Sequence, residues 1–245
     1  MNENSSDQTK QLSIKAVEAM EKRVEYADVL CEKAQGVRVI KDNAEERVST
    51  PASFQGVVLR AYKQGQWRET STYDLSASRI VEMARKLARF EPLSRNSVKL
   101  KELRPWELDE ELKVKISPSE VDVEEKLKHV RRLHNEVVSH DKRVVNAIVH
   151  YSDTVLERVF ANTEGSVLRQ VVPRTSLQIS PIVRESGKMD YDYLSTGGTA
   201  GFEIVEDLEE KSVKETVDSS VSLLKASAPP SGHFKVILDP GMAGT

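Results

Sequence analysis

Between residues 117 and 184 the spacing of apolar residues changes once, and that change restricts the possible folds more than any short motif does. Val123, Leu127, Val130, Leu133 and Val137 recur every three or four positions, the period of one helix face. From Val144 onward apolar residues recur every second position, which places one side of extended strands in a core. Short turn sequences join neighbouring strands, and such turns favour antiparallel pairing. The expected fold is therefore α/β of the α+β type: helices packed on mostly antiparallel sheets.

The same reading extends to the rest of the chain. Leu12 to Val24 has helical spacing. Ala27 to Glu32, Val37 to Lys41, Gly56 to Tyr62 and Gln66 to Thr72 read as strands, with Asp42-Asn43 and Gln64-Gly65 as turns. A helix over Ser76 to Arg89 sets Ile80, Val81, Ala84 and Leu87 against a basic face of Arg79, Arg85, Lys86 and Arg89. Residues 91–118, with Pro92, Pro105 and Pro118, read as a connector. Ser117-Pro118-Ser119-Glu120 has the pattern of a capping box with proline at the first helical position, so a helix is expected from there to His140-Asp141.

Beyond that helix, Val144 to His150 and Thr154 to Ala161 read as two strands paired around Tyr151-Ser152-Asp153. Ser166 to Val172 and Thr175 to Arg184 read as two more, separated by Pro173. Met189 to Ser195 follows. Gly197 to Gly201 reads as a flexible loop, a mobile hinge or a substrate-side loop, that feeds one long helix through Val205, Leu208, Val213, Val217, Val221 and Leu224. Leu87 and Leu224 are assigned to buried positions, and Phe234 to Leu238 to a last strand. The expected organisation is a disordered tail (1–11), an N-terminal α/β domain with its connector (12–116), a second, central α/β domain (117–230) and the first strand of a missing C-terminal domain (231–245).

Composition narrows the function. A net charge of −3 argues against charge-driven binding to nucleic acid or to a membrane surface. No apolar run approaches the ~18 residues needed to span a bilayer, and the polar start lacks the pattern of a signal peptide. One cysteine, Cys31, allows neither an intramolecular disulfide nor a cysteine-rich zinc site, which fits a reducing cytoplasm. Its apolar setting, Tyr26 to Cys31, reads as core.

His129, His134 and His140 fall on one helix. Steps of five and six turn them about 140° and 240° apart, so none forms the i, i+4 pair of a zinc-protease helix; they read as solvated. The glycine segment lacks the lysine of a P-loop. The helix after it begins with Glu203, Glu206 and Asp207, which repel phosphate. No Gly-x-Ser-x-Gly occurs. Read by themselves, the residues define no catalytic constellation.

Four segments in order carry a resemblance. They are Ala27 to Thr72 with the helix after it; Val155 to Gly165, ending Asn162-Thr163-Glu164-Gly165; Tyr191-Asp192-Tyr193 through Gly197-Gly198 to Glu203; and Pro230-Ser231-Gly232 with Leu238-Asp239-Pro240-Gly241-Met242-Ala243-Gly244. Together they resemble the TldD/PmbA family, once called modulators of DNA gyrase and understood as metalloproteases. In TldD-type members a run like the fourth leads into a helix bearing His-Glu-x-x-x-His, whose histidines hold zinc and whose glutamate acts on the bound water.

The sequence stops at Thr245, where that motif would begin. The resemblance therefore implies the N-terminal portion of a TldD-type zinc metallopeptidase (a hydrolase), truncated and inactive as it stands. No catalytic or metal residue is assigned, the substrate-binding residues are unknown, and no zinc is expected on this chain. The implied partner is a PmbA (TldE)-type subunit or a second copy, in a dimer, with peptides or unfolded proteins as substrates. The alternative is a non-catalytic assembly or peptide-binding module of the PmbA type.

Overall fold

The computed structural model describes residues 3–50, 53–93, 100–101, 103–227, 230–238 and 240–243. The chain runs α1 (Glu3–Glu21), β1 (Tyr26–Gln35), β2 (Arg38–Lys41), β3 (Glu46–Ser49), β4 (Phe54–Lys63), β5 (Gln66–Thr72), α2 (Ala77–Leu87) and β6 (Glu107–Glu111). It continues with α3 (Val123–His140), β7 (Val144–Asn162), β8 (Val167–Glu185), β9 (Lys188–Tyr191), β10 (Leu194–Gly198), α4 (Glu203–Glu206), α5 (Glu210–Leu223) and α6 (Pro240–Ala243). All ten strands join one sheet, whose main path is β10-β8-β7-β1-β4-β5. Its pairs are antiparallel except β6 with β8. This is the mixed α/β architecture with a mostly antiparallel sheet that the periodicity requires.

The spine is the β7–β8 hairpin, two strands of 19 residues, each about 60 Å if fully extended. The sequence reads each as two strands, and the structure corrects both readings. Odd-numbered residues of β7 stay buried from Ala147 to Ala161 with no break at Tyr151-Ser152-Asp153. Tyr151 and Asp153 point into the interior, where their polar atoms are bonded, so no turn is needed to bring them to water. In β8, Pro173 falls between the stretch paired with β6, Val167 to Val171, and the stretch paired with β10, Thr175 to Ile179. Pro181 falls between the β10 and β9 stretches. Neither proline has an outer ladder partner to deprive of an N–H, so the strand continues through both.

Two hydrophobic cores lie on the same sheet face. Helices α1 and α2 bring Ala16, Met20 and Ile80 onto Val29, Leu59 and Val159. Helices α3 and α5, with the short α4, bring Leu133, Val217 and Phe202 onto Val39, Tyr151 and Ile179. Leu224 is buried and Leu87 packs half-buried against the first core. The sheet runs through the boundary placed at 116/117: β1 pairs with β7 from Asp28↔Asn162 to Gln35↔Val155. Pairing with β4 satisfies only one edge of β1, and β7 supplies partners for the other.

Several local readings change. The tail of residues 1–11 is helical from Glu3, with Thr9 buried and Lys10 bonded to Asp109. The capping box does not form. Residues Pro118–Glu120 make a single 3-10 turn, Ser117 Oγ bonds Ser119 Oγ, and α3 begins at Val123 after Asp122. The carbonyl of Pro118 is thereby left to accept Lys126. The long C-terminal helix breaks between Glu206 and Glu210, because Phe202 and Val205 turn into the second core ahead of α5. β3 and β6 have no counterpart in the periodicity, because ERVS and ELDEE are too polar for the alternation to show. Phe234 to Leu238 pairs with no strand among the described residues, and Ile237 is 98% exposed.

Leu133 lies at the centre of the second core and is fully buried. Leu133→Ala should lower stability by about 2–5 kcal/mol, read as a shifted urea midpoint with an unchanged slope.

Candidate functional site

Between the two cores the buried face of the sheet is charged. Asp153 and Glu157 project from β7 on either side of Val155 and are 4% and 1% exposed. Lys126, from the first turns of α3, meets Asp153 Oδ2 at 2.7 Å with both side chains buried, and it donates to the Pro118 carbonyl at 2.8 Å. Tyr151 donates its hydroxyl to the same Asp153 oxygen at 2.5 Å, and the Val37 N–H bonds the other at 3.2 Å. Burial, then the adjoining Asp153 carboxylate, push the Tyr151 phenol far above its ordinary range, so it remains a donor. Glu157 Oε1 accepts from Arg169 Nε at 2.8 Å, and Arg169 also holds Asp109 at 2.9 Å. Glu157 Oε2 is buried with no hydrogen-bond partner.

The residues singled out by sequence scatter across the molecule. Helix α3 does carry three histidines, but each meets a different group. His129 stacks edge-on against Phe202 at 5.2 Å, His134 Nε2 bonds Asn43 at 3.0 Å, and His140 Nε2 bonds Asp218 at 3.0 Å. They are partly or wholly buried rather than solvated, His134 to 7% exposure. Burial pushes the pKa of His134 down, and does the same to His150 on β7 with help from the Arg38 charge. Cys31 is buried in the first core, and desolvation pushes its thiol up to about 11, so it is unreactive in this fold.

The family-like segments do structural work. Asn162 Oδ1 accepts from the N–H groups of Glu164 and Ser166, and Gly165 takes the positive φ of +89° that closes the β7–β8 hairpin. Thr163 Oγ1 accepts from Ala27 N, tying that hairpin to β1. The glycine segment is no hinge. Gly197 and Gly198 belong to β10, and a Cβ on Gly201 would lie 2.1 Å from the Ile116 carbonyl oxygen. Burial alone would raise the Glu203 pKa; the N–H groups of Gly201, Ile116 and neighbouring residues outweigh it and hold the carboxyl low. Asp192 accepts from Ser219 Oγ at 2.6 Å, leaving Tyr191 and Tyr193 exposed. In the last run, Asp239 and Gly244 lie outside the described residues.

The other face of the sheet bears no core. A groove of about 360 Å³ lies there, lined by Leu30, Glu32, Phe54, Val58 and Tyr73 among others. Periodicity had no means of finding it, because it is built from neighbours on different strands. Among the described residues no three His, Cys, Asp or Glu side chains group as a metal centre requires, so these residues do not fit a metal. No helix of the described residues is long and apolar enough to cross a membrane.

Comparison with known proteins places this architecture. A family model described as the PmbA/TldA metallopeptidase central domain matches residues 116–223, the part built on α3, the β7–β8 hairpin and α5. A metalloprotease of Methanothermobacter thermautotrophicus is 30% identical over 227 residues, 92% of this chain and 49% of its own length. One of Methanocaldococcus jannaschii is 29% identical over 238 residues, 95% of this chain and 52% of its own. Among solved structures, a Thermotoga maritima protein named as a modulator of a DNA gyrase superposes with a TM-score of 0.69. It shares 17% identity and covers 91% of this chain and 50% of its own. TldE from Thermococcus kodakarensis gives a TM-score of 0.60 at 15% identity, covering 87% and 47%. The fold is that of this group of proteins. The central-domain match and these neighbours support a protein of the TldD/PmbA family, and the chain spans about half the length of the curated relatives it matches.

Two outcomes follow from the seam and the histidines. Lys126→Met strands a buried carboxylate and should cost about 3–5 kcal/mol, whereas Lys126→Met with Asp153→Leu should recover much of that loss; equilibrium urea unfolding measures both. His134 folds as a neutral imidazole with a depressed pKa. The unfolded chain therefore takes up its proton first as pH falls through about 6.5, and stability drops below that pH. His134→Gln should reduce this component when urea midpoints at pH 7.5 and 5.5 are compared, leaving the part due to His150.

Proposed function

We propose that these residues form the N-terminal and central scaffold of a TldD-type zinc metallopeptidase acting on unfolded or peptide substrates in the cytoplasm. The observation that carries this reading is the central-domain match over 116–223, supported by archaeal relatives named metalloproteases that align along nearly the whole chain. In this reading the scaffold positions and shields a site whose metal-binding groups are other than the residues described, since those do not fit a metal. We assign it a dimeric state, with a PmbA (TldE)-type subunit or a second copy as partner. The single buried thiol suits a reducing compartment.

A second reading, a non-catalytic assembly or peptide-binding module, is favoured by the groove of about 360 Å³ lined by Leu30, Phe54, Val58 and Tyr73. Zinc analysis and a peptidase assay on the purified 245-residue chain separate the two placements of the chemistry. The expected outcome is no stoichiometric zinc and no chelator-sensitive cleavage of an unfolded polypeptide. Stoichiometric zinc with chelator-sensitive cleavage by these residues alone would overturn the scaffold reading. Cleavage that appears only when a full-length TldD-type partner and zinc are added would favour the non-catalytic module reading, with the catalytic groups in the partner.

A further inference from the structure

The first half of α1 lies over the charged seam, and only Leu12, half-buried, reaches the first core from it. Its buried side chains there are polar, Thr9 and Ser13. The apolar side chains that fasten the helix, Ala16, Val17 and Met20, come later. Ser13 Oγ turns back to the Thr9 carbonyl at 3.0 Å. Apart from Leu12, what joins these turns to the sheet is a set of polar contacts. Lys33 Nζ donates to Thr9 Oγ1 at 2.8 Å. Lys10 Nζ meets Asp109 Oδ2 at 2.6 Å, Arg169 holds the other Asp109 oxygen, and Arg169 in turn holds Glu157.

Grooves open on both sides of the same turns. One of about 510 Å³ separates Lys10 and Ile14 from Leu108 and Val167, and one of about 450 Å³ separates Gln8 and Lys15 from Leu75. Beneath lie two groups that water would solvate better. One is Glu157, with its unpartnered oxygen. The other is Cys31, whose neighbour from above is Ser13. A helix end held by ion pairs, flanked by grooves and set over a polar floor has far less apolar burial to lose on lifting than the end packed on Met20.

We propose that α1 from Glu3 to Ser13 is a lid, hinged where Ala16 to Met20 enter the first core and latched by the chain Lys10–Asp109–Arg169–Glu157. Lifting it uncovers Glu157 and the edge of the first core at Cys31, while the rest of that core, held by Ala16 to Met20, and the second core stay folded. Asp109 is the middle link: it joins α1 to β8 from the parallel edge strand β6, so its removal undoes two ion pairs at once. The lid stands independently of the metallopeptidase reading.

Cys31 is the single cysteine, so its modification by an aromatic disulfide reagent under native conditions reads the opening directly. In the full chain, labelling should be nearly independent of urea until global unfolding takes over. Asp109→Asn and Lys10→Ala should each accelerate it, by roughly fivefold for Asp109→Asn. Lys115→Ala, which breaks the surface pair with Asp207, should leave it unchanged. Salt at 1 M should accelerate labelling of the unaltered chain and have little effect on Asp109→Asn. The lid is overturned by labelling that tracks global unfolding at every urea concentration, or by rates that neither variant nor salt changes.

Discussion

The buried pair between Lys126 and Asp153 is the interaction on which the central part of the molecule depends. Asp153 sits at the midpoint of β7, where a strand this long would otherwise be expected to turn. Its carboxylate gathers the Lys126 ammonium, the Tyr151 hydroxyl and the Val37 N–H, and Lys126 adds the Pro118 carbonyl. Three stretches of chain distant in sequence, around Val37, Pro118 to Lys126 and Tyr151 to Asp153, are thereby held at one point. An ion pair so enclosed gains little net stability over an apolar substitute, because both charges give up water. Its contribution is to fix position: α3 can take only the register that brings Lys126 over Asp153.

That polar centre explains why one sheet carries two cores rather than one. Val155 lies between Asp153 and Glu157, so apolar packing is interrupted on both sides of it. The helices sort accordingly, α1 and α2 to one end of the hairpin, α3 and α5 to the other. The connector through β6 and Ile116 bridges the gap, pinned by Glu203 and Arg169. A scaffold of this kind has a stiff spine and two semi-independent helical layers. The proposed function uses this frame to hold a site built by other groups, and the proposed lid uses the α1 end of the seam.

The family-like motifs acquire a physical meaning in this frame. Asn162-Thr163-Glu164-Gly165 closes the central hairpin and ties it to β1, and Gly201 allows Ile116 to pass closer than any side chain permits. These residues recognise their own fold. Short motifs that cap, turn or allow close approach identify a family as surely as catalytic ones do, yet they say little about chemistry.

Local periodicity and turn chemistry determined most of the elements. The apolar stripe of α2, the strand over 66–72 with its Gln64-Gly65 turn, and the helix of Leu127 to Val137 all follow from forces acting within a few residues, and they appear where the sequence puts them. The tertiary structure decided what depends on distant partners. Lys126 chose the start of α3 by reaching Pro118, against the local capping pattern. Asp153 kept β7 continuous because an inward carboxylate found a buried cation 27 positions earlier in the chain. Pro173 was allowed inside β8 because the neighbouring strands stop short of it. β3 and β6 formed from polar residues because backbone groups at a sheet edge accept any chain that supplies their hydrogen bonds. In each case the deciding partner is remote in sequence, and a pattern read along the chain carries no record of which residues the fold will bring together.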